Sequence, residues 1–253
     1  MSNIFDALRK KQAGEAPPPG AADSPFPFQP VEQATGKPKD LSFRTMRELE
    51  HLRERLELEL PRTGRRLFAI AASTAGEGAS TLGLQLARII ARSPEGKVLL
   101  IDADMGSSGR SLSRSIGAAT AKPGLADLLA GRMDLSKAVL STDEPNLHFL
   151  PSGSESTPNR EAISPERMRQ FLDDMGRLYR MVILDCPPVL MSSESPMIGA
   201  LTEGVVLVVR ANRTRREVTQ RALLLLQSSR CRVLGVVLNQ RTYPIPGFLY
   251  RRL

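Results

Sequence analysis

The stretch Arg66-Leu-Phe-Ala-Ile-Ala-Ala72, running into Ser73-Thr-Ala-Gly76-Glu-Gly78-Ala79-Ser80-Thr81, decides the fold. Seven residues of β-type, nearly all apolar chain lead into a glycine-rich turn. A helix pattern follows at once, with Leu82, Leu86, Ile89 and Ile90 on one face. Strand, glycine turn and helix is the opening unit of a parallel sheet. The same alternation continues downstream. Lys97-Val-Leu-Leu-Ile-Asp-Ala-Asp104 reads as the next strand, and Leu147-His-Phe-Leu150 as a short one. Ser164 and Pro165 then open a helix as cap and first-turn residue, with a stripe of Met168, Phe171, Leu172, Met175 and Leu178. Met181-Val-Ile-Leu-Asp185, Gly204-Val-Val-Leu-Val-Val209 and Arg232-Val-Leu-Gly-Val-Val-Leu-Asn239 supply three more strands. These runs are continuously apolar instead of alternating, so both faces of the sheet are covered by helices. The expectation is one doubly wound, mostly parallel α/β domain over residues 41–253.

Upstream, Phe43, Met46, Leu49, Leu52 and Leu56 fit a helix stripe that Pro61 terminates. Residues 1–40 read as a flexible tail rich in Pro, Ala and Gly, without sustained period from about residue 13. Ile4, Phe5 and Leu8 make only a brief amphipathic piece at its start. The whole chain has 253 residues, 41% of them hydrophobic, which is enough for one domain with a sizeable core. No tryptophan and 4% aromatics argue against reading single strands by base stacking. Two cysteines, Cys186 and Cys231, cannot build a disulfide framework and suit a reducing compartment. The first residues lack the apolar core of a signal peptide, and no apolar run is long enough to span a bilayer. A cytoplasmic location is the expectation. Net charge is +8, with arginines densest at Arg210, Arg213, Arg215, Arg216 and Arg221. This reads first as a solvated helix face, and nucleic acid is the less favoured partner.

Ligands of doubly wound sheets bind at the carboxyl ends of the strands, and three of those ends carry chemistry here. At the first, Gly76 and Gly78 let backbone N–H groups turn inward around phosphate oxygens, and the helix that follows adds its dipole. The hydroxyl of Ser80 stands where a phosphate-loop protein holds Mg²⁺, whereas Ala79 occupies the place of the usual lysine. At the second end, strand alternation puts Asp102 and Asp104 on one side, suited to a magnesium-bound water or to accepting a hydroxyl proton. At the third, Asp185 follows four apolar residues, a position for an outer-shell magnesium carboxylate. Each feature alone has a purely structural explanation, as a steric glycine turn or a cap. Their order along one domain is what gives them weight. A dinucleotide fingerprint fits less well, because Thr81 replaces its third glycine and that fold has no use for Asp185 or the Pro187-Pro188 corner.

Gly76-Glu-Gly-Ala-Ser-Thr81, Val98-Leu-Leu-Ile-Asp-Ala-Asp104 and Val182-Ile-Leu-Asp-Cys-Pro-Pro188 resemble three ordered motifs of the bacterial tyrosine kinases. These are the exopolysaccharide-locus autokinases of the ParA/MinD P-loop superfamily. Leu147–Gly153 with Pro158-Asn159, the segment Gly204–Thr214 and the ending Gly235–Tyr250 extend the likeness over residues 41–253. The resemblance implies ATP or ADP with Mg²⁺ as cofactor. Gly76, Glu77, Gly78, Ala79, Ser80 and Thr81 would cradle the phosphates, with Ser80, Asp102 and Asp185 serving the metal. Asp102 and Asp104 would act in catalysis, and Asn239 would touch the adenine. Tyr243 and Tyr250 would be the phosphorylated tail tyrosines. The implied partners are the cytoplasmic segment of a membrane polysaccharide co-polymerase and other copies of the chain.

The departures from the family pattern shape the functional expectation. Ala79 removes the lysine that neutralises the transferred phosphoryl group, and losing one preorganised donor typically slows a reaction about a hundred- to thousandfold. The family's acid at the start of its oligomerisation motif is Leu41 here, ahead of Arg44 and Arg47. An arginine pair expected after Asp104 is Gly106-Ser107, and Glu194 stands where the family keeps an aspartate. Cys186, in place of a threonine, reads as a small buried residue. The sequence thus points to a kinase-like regulator or scaffold of exopolysaccharide or capsule assembly with weak or no phosphoryl transfer. An active tyrosine autokinase, with another cation such as Arg110 filling the gap, is the second reading. A ParA-like positioning ATPase on DNA is the third.

Overall fold

All six residues of the strand Leu67–Ala72 (β1) are buried, and its side chains divide between two cores by simple alternation. Leu67, Ala69 and Ala71 face one side of the sheet, and Phe68, Ile70 and Ala72 the other. The computed structural model describes residues 34, 43–62, 64–105, 110–118, 123–153 and 164–241. Those residues contain, besides β1, the strands Val98–Asp102 (β2), Leu140–Ser141 (β3), Leu147–Leu150 (β4), Met181–Asp185 (β5), Val205–Arg210 (β6) and Val233–Asn239 (β7). The helices are Phe43–Glu59 (α1), Ala79–Ala91 (α2), Arg110–Ile116 (α3), Leu125–Leu129 (α4), Leu135–Ala138 (α5), Pro165–Leu178 (α6), Glu194–Gly199 (α7) and Arg216–Ser228 (α8).

The strands form one seven-stranded sheet in the order β3-β4-β2-β5-β1-β6-β7. Every pairing is parallel except β3 with β4. The doubly wound expectation holds. Helices α1 and α2 cover the face built from Phe68, Ile70, Leu100, Phe149 and Ile183, with Leu56, Leu86 and Ile90 pressed onto it. Helices α4 to α8 cover the other face, where Phe171, Leu172 and Leu226 meet Leu99, Ile101, Val182 and Leu184. Burying each such side chain contributes about 1.5–3 kcal/mol, so the two-sided sheet is the main source of cohesion.

Local signals place the helices. In α6, Ser164 caps by accepting from the Arg167 N–H at 3.2 Å and Pro165 sits in the first turn. The stripe Met168, Phe171, Leu172 and Met175 is buried as its spacing requires. Helix α1 buries Leu49 and Leu56, and Arg53 on its flank bonds Glu50 at 2.8 Å and Glu57 at 3.1 Å. Ala34, within the segment read as a flexible tail, is buried and donates its N–H to the Ser141 carbonyl at 2.8 Å. The rest of residues 1–40 lies outside the described residues. Among the described residues, no helix is long and apolar enough to cross a membrane.

Candidate functional site

The carboxyl ends of β1, β2 and β5 open into a cavity of about 800 Å³. Residues Gly76–Thr81, Asp102, Asp104 and Asp185 line it, so the structure brings these separated sequence signals together. Ser115, Cys186, Pro187, Pro188, Met191, Ser192 and Gln240 complete much of the wall. Nothing in their local sequence marked Ser115, Met191, Ser192 or Gln240, because only the crossing of the chain over the sheet brings them there.

The loop after β1 turns twice through the left-handed region, at Gly76 (φ 82°) and Gly78 (φ 89°). Gly78 is also the residue before α2 and accepts from the Leu82 N–H at 3.0 Å, so the helix N-terminus faces the cavity. A side chain at Gly78 has no room: a Cβ would stand 2.4 Å from Asn239 Nδ2. That amide donates instead to the Glu77 main-chain carbonyl at 2.9 Å. In this structure Asn239 thus braces the loop from the end of β7. Gln240, one residue on, lines the cavity.

Glu77 stands between the two glycines of the loop and lines the cavity with them. Its carboxylate is turned inward, 2% exposed, and accepts from the Ser73 N–H at 2.7 Å, the Thr74 N–H at 3.0 Å and the Ser73 hydroxyl at 2.7 Å. The Thr214 hydroxyl, from the turn after β6, donates to it as well. Burial alone would raise the pKa of this group, but the bonds from Thr214, Ser73 and Thr74 outweigh it and hold the acid below its ordinary value. Glu77 therefore fixes the loop's shape. The Ser73–Glu77–Thr214 network escaped the sequence reading, since it joins residues 137 positions apart.

Strand β2 ends at Asp102, so Asp104 reaches the cavity from the following loop and not by strand alternation. The two remain linked, with the Asp104 N–H donating to Asp102 Oδ1 at 3.2 Å. Asp102 and Asp185 are register partners on β2 and β5 and both are buried. Burial, then the Asp185 charge, pushes Asp102 well above the usual carboxylate range. Burial drives Asp185 up to about 7, against a hydrogen bond from Ser80 and with the Asp104 charge adding to the rise. Among the described residues, Asp102 Oδ2 and Asp185 Oδ1 have no hydrogen-bond partner. Two orphaned carboxylate oxygens beside a hydroxyl are costly without a cation, and this is the donor set that magnesium favours. Ser80, Asp102 and Asp185 thus offer the oxygen donors that would suit a Mg²⁺ ion. No cluster of three or more His, Cys, Asp or Glu forms a metal cage by itself among the described residues. Cys186 is buried next to Asp185, and burial raises its thiol far above the ordinary value, which keeps it an inert packing residue.

Ala79 opens α2 at the cavity wall. Among the described residues no lysine or arginine lines this cavity, and the acidic side chains that do are Glu77, Asp102, Asp104 and Asp185. Tyr243, Tyr250, Pro158 and Asn159, and the side chain of Arg110, lie outside the described residues.

This geometry is that of a P-loop α/β domain. An AAA-domain family model matches residues 65–214. The tyrosine-protein kinase CpsD of Streptococcus agalactiae is 30% identical over 69% of this chain and 75% of its own length. The putative tyrosine-protein kinase EpsB of Ralstonia nicotianae is 31% identical over 80% of this chain, which spans only 26% of EpsB. Among solved structures, the BceF tyrosine kinase domain has a TM-score of 0.68 at 28% identity, over 92% of this chain and 86% of that one. The chain belongs to the bacterial tyrosine kinase family.

Proposed function

We propose that this protein is a kinase-like regulator or scaffold of exopolysaccharide or capsule assembly that binds ATP or ADP with Mg²⁺ and carries out weak or no phosphoryl transfer. The observation that carries the proposal is the charge pattern of the cavity: three carboxylates poised for a cation, Ala79 at the loop's lysine position, and no lysine or arginine among the described lining residues. The metal, when bound, supplies positive charge to the phosphates. Ser80, Asp102 and Asp185 hold its shell, while Gly76 and Gly78 let loop N–H groups meet phosphate oxygens. Glu77 and Asn239 keep that loop in shape. Binding survives on such contacts, because hydrogen bonds to charged groups are worth about 1.5–3 kcal/mol each. Transfer needs charge at the migrating phosphoryl group, and no described side chain lining this cavity carries a positive one.

Membership of the family supports a role in polysaccharide assembly, with a membrane co-polymerase's cytoplasmic segment and further copies of the chain as partners. A location in the cytoplasm, at the membrane through that partner, goes with the same reading. The test is to titrate Mg-ATP into the protein by calorimetry and then recover the bound nucleotide. Saturable, magnesium-dependent binding with ATP recovered intact after long incubation is the expected result. Rapid conversion to ADP would refute the inactive reading, and no binding at all would refute the nucleotide site.

A further inference from the structure

A second cavity, of about 380 Å³, lies against the outer side of the phosphate loop. Thr74, Gly76, Arg210, Arg213, Thr214 and Arg215 are among its lining residues. The three arginines make no ion pair among the described residues, although the chain elsewhere pairs arginines readily, as with Arg53, Arg65, Arg88 and Arg180. One acid, Glu77, also lines the cavity, and its carboxylate is engaged by Ser73, Thr74 and Thr214. Three guanidinium groups against that one carboxylate leave an excess of positive charge around the concavity, which an anion would offset.

The backbone that carries the arginines is fixed by its turn. The Thr214 N–H donates to the Arg210 carbonyl at 3.0 Å, and the Arg210 N–H donates back to the Thr214 hydroxyl at 3.1 Å. That same hydroxyl donates to Glu77, which ties the turn to the loop. Asn212 adopts the left-handed region (φ 59°) and reverses the chain between Arg210 and Arg213. The planar, multi-donor guanidinium group is the side chain best matched to phosphate oxygens.

We propose that this cavity is a phosphate-anion site, built from Arg210, Arg213 and Arg215 on the rim of the loop. It places next to Gly76 and Glu77 the positive charge that Ala79 withholds from the first cavity. Its ligand is a phosphate oxyanion, either at the end of a nucleotide's own phosphate chain or on a phosphorylated group of another molecule.

The probe is inorganic pyrophosphate, titrated at low salt into the natural protein and into an Arg213→Gln/Arg215→Gln double variant. Both residues are exposed, and an unchanged melting temperature verifies that the variant keeps its fold. A single Arg213→Gln variant serves if it does not. The expected result is binding by the natural protein that weakens with salt, and an affinity on the order of ten- to hundredfold lower in the double variant. Lysine at both positions should recover part of the loss. Repeating the titration with saturating Mg-ATP separates the two sources. Competition assigns the site to the nucleotide's own phosphates, and undiminished binding assigns it to a phosphate on another molecule. Equal affinity in natural and variant proteins, or no pyrophosphate binding by the natural protein, overturns the proposal. Mg-ATP binding measured in the same series stands or falls separately, so failure of the arginine site leaves the nucleotide site to its own test.

Discussion

The side-chain amide of Asn239 donates to the main-chain carbonyl of Glu77 at 2.9 Å, and it occupies the space into which a side chain at Gly78 would project. The last strand of the sheet thereby controls the shape of the loop that follows the first. Two glycines of the same loop, both with positive φ, are for this reason not equivalent. Gly76 has nothing within 4 Å of where a Cβ would stand, whereas Gly78 meets Asn239 at 2.4 Å.

Gly78→Ala should therefore cost more than Gly76→Ala. The latter pays only for a left-handed alanine, about 1–2 kcal/mol. The former adds the displaced Asn239 and its lost hydrogen bond, for about 1–3 kcal/mol more. Urea unfolding of both variants measures the difference, and combining Gly78→Ala with Asn239→Ala should recover part of it. Equal losses for the two glycines would show that Asn239 does not constrain the loop.

Removing the inward carboxylate should be felt both as stability and as loop disorder. Glu77→Gln leaves Ser73, Thr74 and Thr214 competing for a weaker, partly donor group, at a cost of about 1–3 kcal/mol. The folded-state pKa of Glu77 is depressed, so its contribution is present above its unfolded value near 4.5 and is lost as pH falls through the folded value. The natural protein should thus lose more stability on acidification below pH 4.5 than Glu77→Gln does. A Thr214→Val background should shrink the effect. Identical acid profiles for natural and variant proteins would contradict the network.

Asp185 works in the opposite direction. Its carboxyl is raised from 3.8 to about 7 by burial. The folded state therefore binds this proton more tightly, and stability falls as pH rises from about 4 to 7, levelling above that. Without metal, the protein should be less stable at pH 8 than at pH 5 by about 2–3 kcal/mol from this group. Asp185→Asn should flatten the profile, and Mg²⁺ should stabilise the natural protein more at pH 8 than at pH 5. Thermal melts at the two pH values, with and without Mg²⁺, read all three effects. A natural profile as flat as that of Asp185→Asn would count against the buried acid.

What could be read beforehand and what could not follow from the range of the interactions. The strands announced themselves through unbroken apolar runs such as Val205–Val209, and α6 through its cap and stripe, because these are local patterns. Gly76, Gly78, Ser80, Asp102 and Asp185 were legible as a set since each ends or follows a strand on the same edge of the sheet. Asp104 reached the same cavity by another route, because β2 stops two residues sooner than alternation assumed. The inward turn of Glu77 depends on Thr214, and the brace of Asn239 depends on β7 lying beside β6. Neither is encoded in a short window. The arginine cavity was visible only as a dense run of charge, which sequence alone assigned to a solvated face.

The most direct measurement compares the natural protein with Ala79→Lys after incubation with Mg-ATP, reading added phosphate by intact mass and locating it by peptide mapping. The account predicts no phosphate on the natural protein and phosphate on Tyr243 or Tyr250 of the lysine variant, since the carboxylates and loop are otherwise in place. Stoichiometric phosphotyrosine on the natural protein would contradict it and would establish a kinase whose charge comes from outside the loop.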